Sequence, residues 1–155
     1  MADYSFVTEW RLEAPLEAVW KTIRDSKAWP AWWKGVVSVH ELQPGDENSV
    51  GNISDLTWKS FLPYTLCFRS TVVQVIPMEY MEGIAHGDLD GRGRWYFSHG
   101  NGITTVRYQW DVKTTKAWMN ALAPFLKGFL KWNHDVVMRR GGEGLAKKLN
   151  TTLLR

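Results

Sequence analysis

The stretch from Ala117 to Leu149 constrains the fold more than any other, because it reads as one long C-terminal helix. Leu122, Phe125, Phe129, Trp132 and Val136 recur in steps of three and four, which sets them on one helical face. Trp118 and Leu126 widen that stripe, Lys127, Lys131 and Met138 fall opposite it, and the polar Asn133 and Arg140 fall inside it. The pattern predicts a helix unbroken from about Pro124 to at least Arg139, with Phe125 and Phe129 covered. Such a helix needs a large partner surface, and the chain before it alternates like β-sheet.

Residues 4–13 alternate, with Phe6, Thr8, Trp10 and Leu12 on one face, as a half-buried strand does. Pro15 opens a short helix carrying Leu16, Val19, Trp20 and Ile23, and a second turn over 27–33 bears Trp29, Trp32 and Trp33. From Val36 onward six strands are predicted: 36–42, 52–60, 64–76, 81–89, 92–98 and 103–114. Leu62-Pro63 and Pro77 act as breaks, and Asp90-Gly91 and Asn101-Gly102 as two-residue hairpin turns. Short turns between consecutive strands imply an antiparallel meander, in an α+β fold of one domain spanning 1–155. Gly83, Ala85 and Gly87 leave one strand almost bare beside aromatics such as Trp95 and Phe97, which makes room between sheet and helix.

Ten tryptophans in 155 residues give this chain an unusual reserve of large apolar rings with an N–H to satisfy. A net charge of +3, scattered apart from Arg139, Arg140, Lys147 and Lys148, argues against nucleic-acid binding. No apolar run is long enough for integral membrane association, and no leader is expected before the first strand. The lone Cys67 sits in an apolar strand pattern and reads as a buried reduced thiol, so the expected location is cytoplasmic.

No catalytic constellation stands out. The histidines at 40, 86, 99 and 134 lack metal-ligand spacing, and the nearest pair, His86 with Asp88, reads as solvent-facing, so no metal and no cofactor is expected. Neither a nucleophile elbow nor a phosphate loop is present. His134 falls away from the apolar stripe, near Lys127, and reads as exposed. Asn133 and Tyr108 point inward, and such a pair can polarise a ligand carbonyl.

The order of strand, two short helices, six strands and one long helix resembles the START/Bet v 1-like helix-grip superfamily, and within it the polyketide cyclase/dehydrase-like branch. The resemblance rests on residues 13–20 (EAPLEAVW), Trp29–Trp33, residues 87–91 (GDLDG) running into residues 93–95 (GRW), and residues 132–135 (WNHD). It implies a curved antiparallel sheet around the helix, with a cavity for a hydrophobic or amphipathic molecule. It carries over no catalytic residue, since the superfamily has no shared catalytic motif.

Three functions follow as expectations. The first is binding of a hydrophobic or aromatic small molecule, lipid or polyketide-like. The second is a cyclase or dehydratase using Tyr108, Asn133 and His134. The third is a protein-interaction module built on exposed tryptophans, although the Trp29–Trp33 cluster reads better as a portal. The expected cavity wall is Trp10, Trp58, Phe68, Trp95, Phe97, Tyr108 and Trp110 from the sheet, with Phe125, Phe129 and Asn133 from the helix.

Overall fold

A computed structural model describes residues 3–59, 65–115 and 117–154, with the backbone alone at 118, 123 and 126. The α+β helix-grip architecture is the one expected. After β1 (Asp3–Leu12) come α1 (Leu16–Arg24), a 3₁₀ turn (Ser26–Ala28) and α2 (Trp29–Trp32). Six strands follow: β2 (Val36–Gln43), β3 (Ile53–Trp58), β4 (Leu66–Ile76), β5 (Tyr80–Gly87), β6 (Leu89–Gly100) and β7 (Ile103–Thr114). Helices α3 (Ala117–Ala121) and α4 (Ala123–Lys148) close the chain with a short β8 (Leu153–Leu154). The sheet runs β2-β3-β4-β5-β6-β7-β1-β8 and is antiparallel throughout. The first strand thus closes onto the last of the meander. The sequence did not reveal β8, and the Leu62-Pro63 break lies outside the described residues.

The two hairpin signals behave differently. Asn101 and Gly102 both have positive φ, 55° and 76°, and join β6 to β7 as expected. Asp90-Gly91 is not a turn but lies inside β6, opposite Lys113 and Val112. Gly91 is required there by close approach, since a Cβ would stand 2.1 Å from the Asp111 carbonyl oxygen. The reversal falls earlier, at Gly87, whose φ of 144° suits glycine. Asp88 fixes it: its carboxylate accepts the Cys67 amide at 2.9 Å. Cys67 itself is exposed, contrary to expectation, because it sits between the inward Leu66 and Phe68.

The C-terminal helix departs most from its sequence pattern. It breaks at Leu122, and Pro124 opens the second piece, where its missing N–H costs nothing. Leu122, Phe125, Phe129 and Trp132 are exposed, Phe125 at 83 %. The expected burial of Phe125 and Phe129 is therefore wrong, while Val136 is buried as expected. The side chains of Trp118 and Leu126 lie outside the described residues. Beyond Val136 the buried face instead centres on Met138, Gly141, Gly142 and Leu145, roughly 170° around the axis at about 100° per residue.

Glycine sets this rotation. A Cβ on Gly141 would stand 2.5 Å from the Trp33 ring, one on Gly142 2.9 Å from the Trp10 ring, and one on Gly144 1.8 Å from the Trp32 carbonyl oxygen. The helix presses its smallest residues onto tryptophans, and the large apolar residues of its first half point elsewhere. A matched pair of variants tests this packing. Gly144→Ala should destabilise by at least about 1–3 kcal/mol despite alanine's better helix propensity, because the backbone contact leaves nothing flexible to yield. Gly128→Ala, where nothing stands within 4 Å of the new Cβ, should stabilise by roughly 0.5–1 kcal/mol. Urea melts of both compared with wild type check the sign of each change.

Candidate functional site

Trp33 lies at the centre of the core, 1 % exposed. Its ring contacts those of Trp10, Trp29, Trp32, Trp58 and Trp95 at centroid distances of 5.1–6.3 Å. Its indole N–H donates to the Val137 carbonyl at 2.9 Å, and that of Trp10 donates to the Met138 carbonyl at 3.0 Å. Trp29 donates to the Ile23 carbonyl at 2.9 Å. The Trp29–Trp33 rings are buried and form no exposed docking patch.

Beside this cluster lies a cavity of about 140 Å³. Phe68, Trp95, Tyr108 and Trp110 line it from the sheet, with Leu130, Asn133, His134 and Val137 from α4. Trp29, Trp33 and Trp58 close one end, and the exposed Lys59 stands at the rim. Tyr108 lies flat on the sheet because β6 has no side chain at Gly93, where a Cβ would meet the Tyr108 hydroxyl at 2.5 Å. Its ring packs against that of Trp95 at 4.2 Å, tilted by 35°.

Of the residues expected to line a cavity, Trp58, Phe68, Trp95, Tyr108, Trp110 and Asn133 do so. Trp10 and Phe97 do not. Trp10 is drawn under α4 by its bond to Met138, and Phe97 packs against Trp20 at 4.9 Å. Phe125 and Phe129 lie away from it because the helix is rotated. That rotation also brings in His134, which was read as exposed. Its side chain is 13 % exposed and stacks on Phe6 at 4.4 Å. The signal that would have found it is the Gly141-Gly142 pair, which shares its face.

The polar groups of the wall stay neutral. Burial drives the Tyr108 phenol far above its ordinary value. Burial likewise lowers His134 to about 4, against a smaller opposing pull from Asp135, 3.9 Å away. Among the described residues, neither ring nitrogen of His134 has a hydrogen-bond partner, and neither does the buried Trp58 Nε1. Asn133 already interacts within the protein.

Other chemistry-bearing groups are accounted for elsewhere. His86 pairs through Nδ1 with Asp90 at 2.8 Å. No group of three or more metal-ligating side chains occurs among the described residues. The buried Glu82 is bonded on the outer sheet face by Tyr80 and Arg92, with Arg94 at 3.7 Å. No helix among the described residues is long and apolar enough to cross a membrane.

An antiparallel sheet gripping a C-terminal helix over an aromatic cavity defines a START/Bet v 1-type domain. The chain belongs to the polyketide cyclase/dehydrase and lipid transport family, whose model matches residues 12–137. No curated protein sequence matches significantly. Solved structures share the fold at low identity. The aromatase/cyclase Zhui from Streptomyces sp. R1128 superposes with a TM-score of 0.79 at 12% identity, covering 96% of this chain and 94% of that one. A START superfamily protein from Mycobacterium smegmatis gives 0.73 at 13%, covering 96% and 97%. The di-domain ARO/CYC protein BexL of the BE-7585A biosynthetic pathway gives 0.76 at 16%. Here 95% of this chain is covered but 50% of that one, so the chain spans half of BexL's length.

Because the folded-state value of His134 is depressed, the unfolded chain binds a proton that the native state refuses. The stability that His134 contributes is complete above about pH 6.5 and is lost as pH falls toward 4. His134→Phe keeps the ring against Phe6 and removes the titration. From pH 7 to pH 4.5 the wild type should therefore lose more stability than this variant, by on the order of 3 kcal/mol. Denaturant melts at the two pH values measure the difference.

Proposed function

We propose that the protein binds a small hydrophobic molecule, with one aromatic ring or an acyl group of similar bulk, in the cavity between sheet and α4. The observation that carries this reading is an aromatic cavity in which burial holds Tyr108 and His134 neutral, the exposed Lys59 standing only at its rim. A volume near 140 Å³ is close to that of an engineered apolar cavity, about 150 Å³, that takes one benzene. A ligand with several fused rings extends past Lys59 or displaces a wall residue. His134 and Trp58 have N–H groups to satisfy, which suits a ligand bearing a neutral oxygen.

The second reading is chemistry of the cyclase or dehydratase kind, with Tyr108 and His134 as proton-handling groups beside Asn133. The match to the polyketide cyclase/dehydrase family and the unpartnered imidazole favour it. The titration weighs against it. A base is most effective when its pKa lies near the working pH, and His134 sits near 4 while Tyr108 is raised. Binding without chemistry is the stronger reading.

Isothermal titration with indole should show saturable, one-to-one binding. Val137→Phe puts a ring into the cavity from α4 and should weaken that binding tenfold or more, about 1.4 kcal/mol, with the melting temperature little changed. Anthracene should bind at least tenfold more weakly than indole. Equal affinity of Val137→Phe and wild type for indole overturns the assignment of the cavity.

A further inference from the structure

A second, smaller chamber of about 70 Å³ lies behind the first, and Trp29 and Trp95 form the wall common to both. Its inner part is apolar, against Ile23, Leu56 and Met81, and its outer part is polar. The outer residues Arg24, Ser26, Ser49 and Asn52 also line an open groove of about 340 Å³ between α1 and the β2–β3 turn. The rear chamber thus faces solvent at the α1 side through a polar partition, remote from Lys59.

Arg24 dominates that partition. Its Nε donates to Ser49 Oγ at 3.1 Å and its Nη2 to the Glu47 carbonyl at 2.5 Å. Three of its five N–H donors remain, and no carboxylate pairs with it among the described residues. The neighbouring cations differ in this respect, since Lys21 pairs with Glu17 and Lys27 with Glu41. The loop that receives Arg24 is preformed, because Asp46 Oδ1 accepts the amides of Asn48 and Val50. Inside, the Ser70 hydroxyl makes no side-chain hydrogen bond among the described residues. It faces space left by Gly83, where a Cβ would be 3.1 Å from Ser70 Oγ.

We infer that the rear chamber is a second binding site, entered from the α1 side, for a short-chain aliphatic carboxylate. Arg24 supplies the unneutralised cation that the carboxylate requires, and Ser70 a further donor. The apolar inner wall takes the alkyl end, and the volume limits that end to a few carbons. The Trp29–Trp95 wall keeps this ligand apart from any occupant of the front cavity, so the inference does not rest on the front cavity's reading.

Sodium butyrate is the probe, read by amide chemical shifts and by isothermal titration, with butyramide as its neutral counterpart. Butyrate should bind one-to-one in the millimolar range, moving the amides of Ser49, Asn52 and Gly83, and butyramide at least tenfold more weakly. Arg24→Gln should weaken butyrate at least tenfold and Arg24→Lys about threefold. Ser70→Leu, which fills the chamber, should abolish binding. The amide spectrum of each variant confirms that it is folded and that shifts are confined to the surroundings of the substitution. No saturable butyrate binding to wild type, which leaves a chamber of water alone, overturns the inference. So does equal binding of butyramide, or unchanged butyrate affinity in Arg24→Gln with its amide spectrum showing a folded protein.

Discussion

The fold depends on two indole N–H groups that reach into the backbone of a helix. Trp33 donates to the Val137 carbonyl and Trp10 to that of Met138. A helical carbonyl has a second lone pair, but the side chain four residues on ordinarily crowds it. Here those residues are Gly141 and Gly142, and any Cβ at either would stand less than 3 Å from the indole concerned. Each hydrogen bond thus requires its glycine. Together they fix the rotation of α4, and that rotation decides which side chains face the sheet.

The chemical character of the front cavity follows from this. With α4 rotated, Leu130, Asn133, His134 and Val137 complete a wall that the sheet supplies with aromatic rings. An imidazole in such surroundings loses its proton affinity, and a phenol there holds its proton more tightly. On the binding reading proposed above, such a wall selects by shape and by neutral hydrogen-bonding groups. The rear chamber differs because its one cation, Arg24, keeps contact with the groove outside. Two environments of opposite polarity therefore share the Trp29–Trp95 wall.

The element order and most strand limits were legible in the sequence because alternation survives wherever one sheet face is buried. Trp95, Tyr108 and Trp110 were readable as inward for the same reason. The helix face was not. Hydrophobic periodicity weighs bulk, so it selected Phe125, Phe129 and Trp132, whereas the contact that orients α4 uses residues with no side chain at all. His134 was missed as a consequence of that single misjudged rotation. Gly91 misled in a related way: it reads as a turn residue, yet it serves close approach between β6 and β7. In both cases the glycine is needed for space and not for backbone freedom, and a single sequence does not distinguish the two uses.

The same tryptophans that build the core also bound its cavities, and this limits how the site can change. Trp95 touches Trp10, Trp29, Trp33, Phe97 and Tyr108. Truncating it opens space in the cavity but removes packing worth roughly 3–5 kcal/mol, a large part of a typical domain's stability. Enlarging the cavity from the sheet side is therefore costly. On α4, by contrast, Leu130 and Val137 line it while only partly buried, and the side chain of neither holds an indole. Their replacement alters cavity size without disturbing the Trp10 and Trp33 bonds, which use the backbone at 137 and 138. Cavity size in this chain is thus set from the helix, and helix orientation is set by glycine.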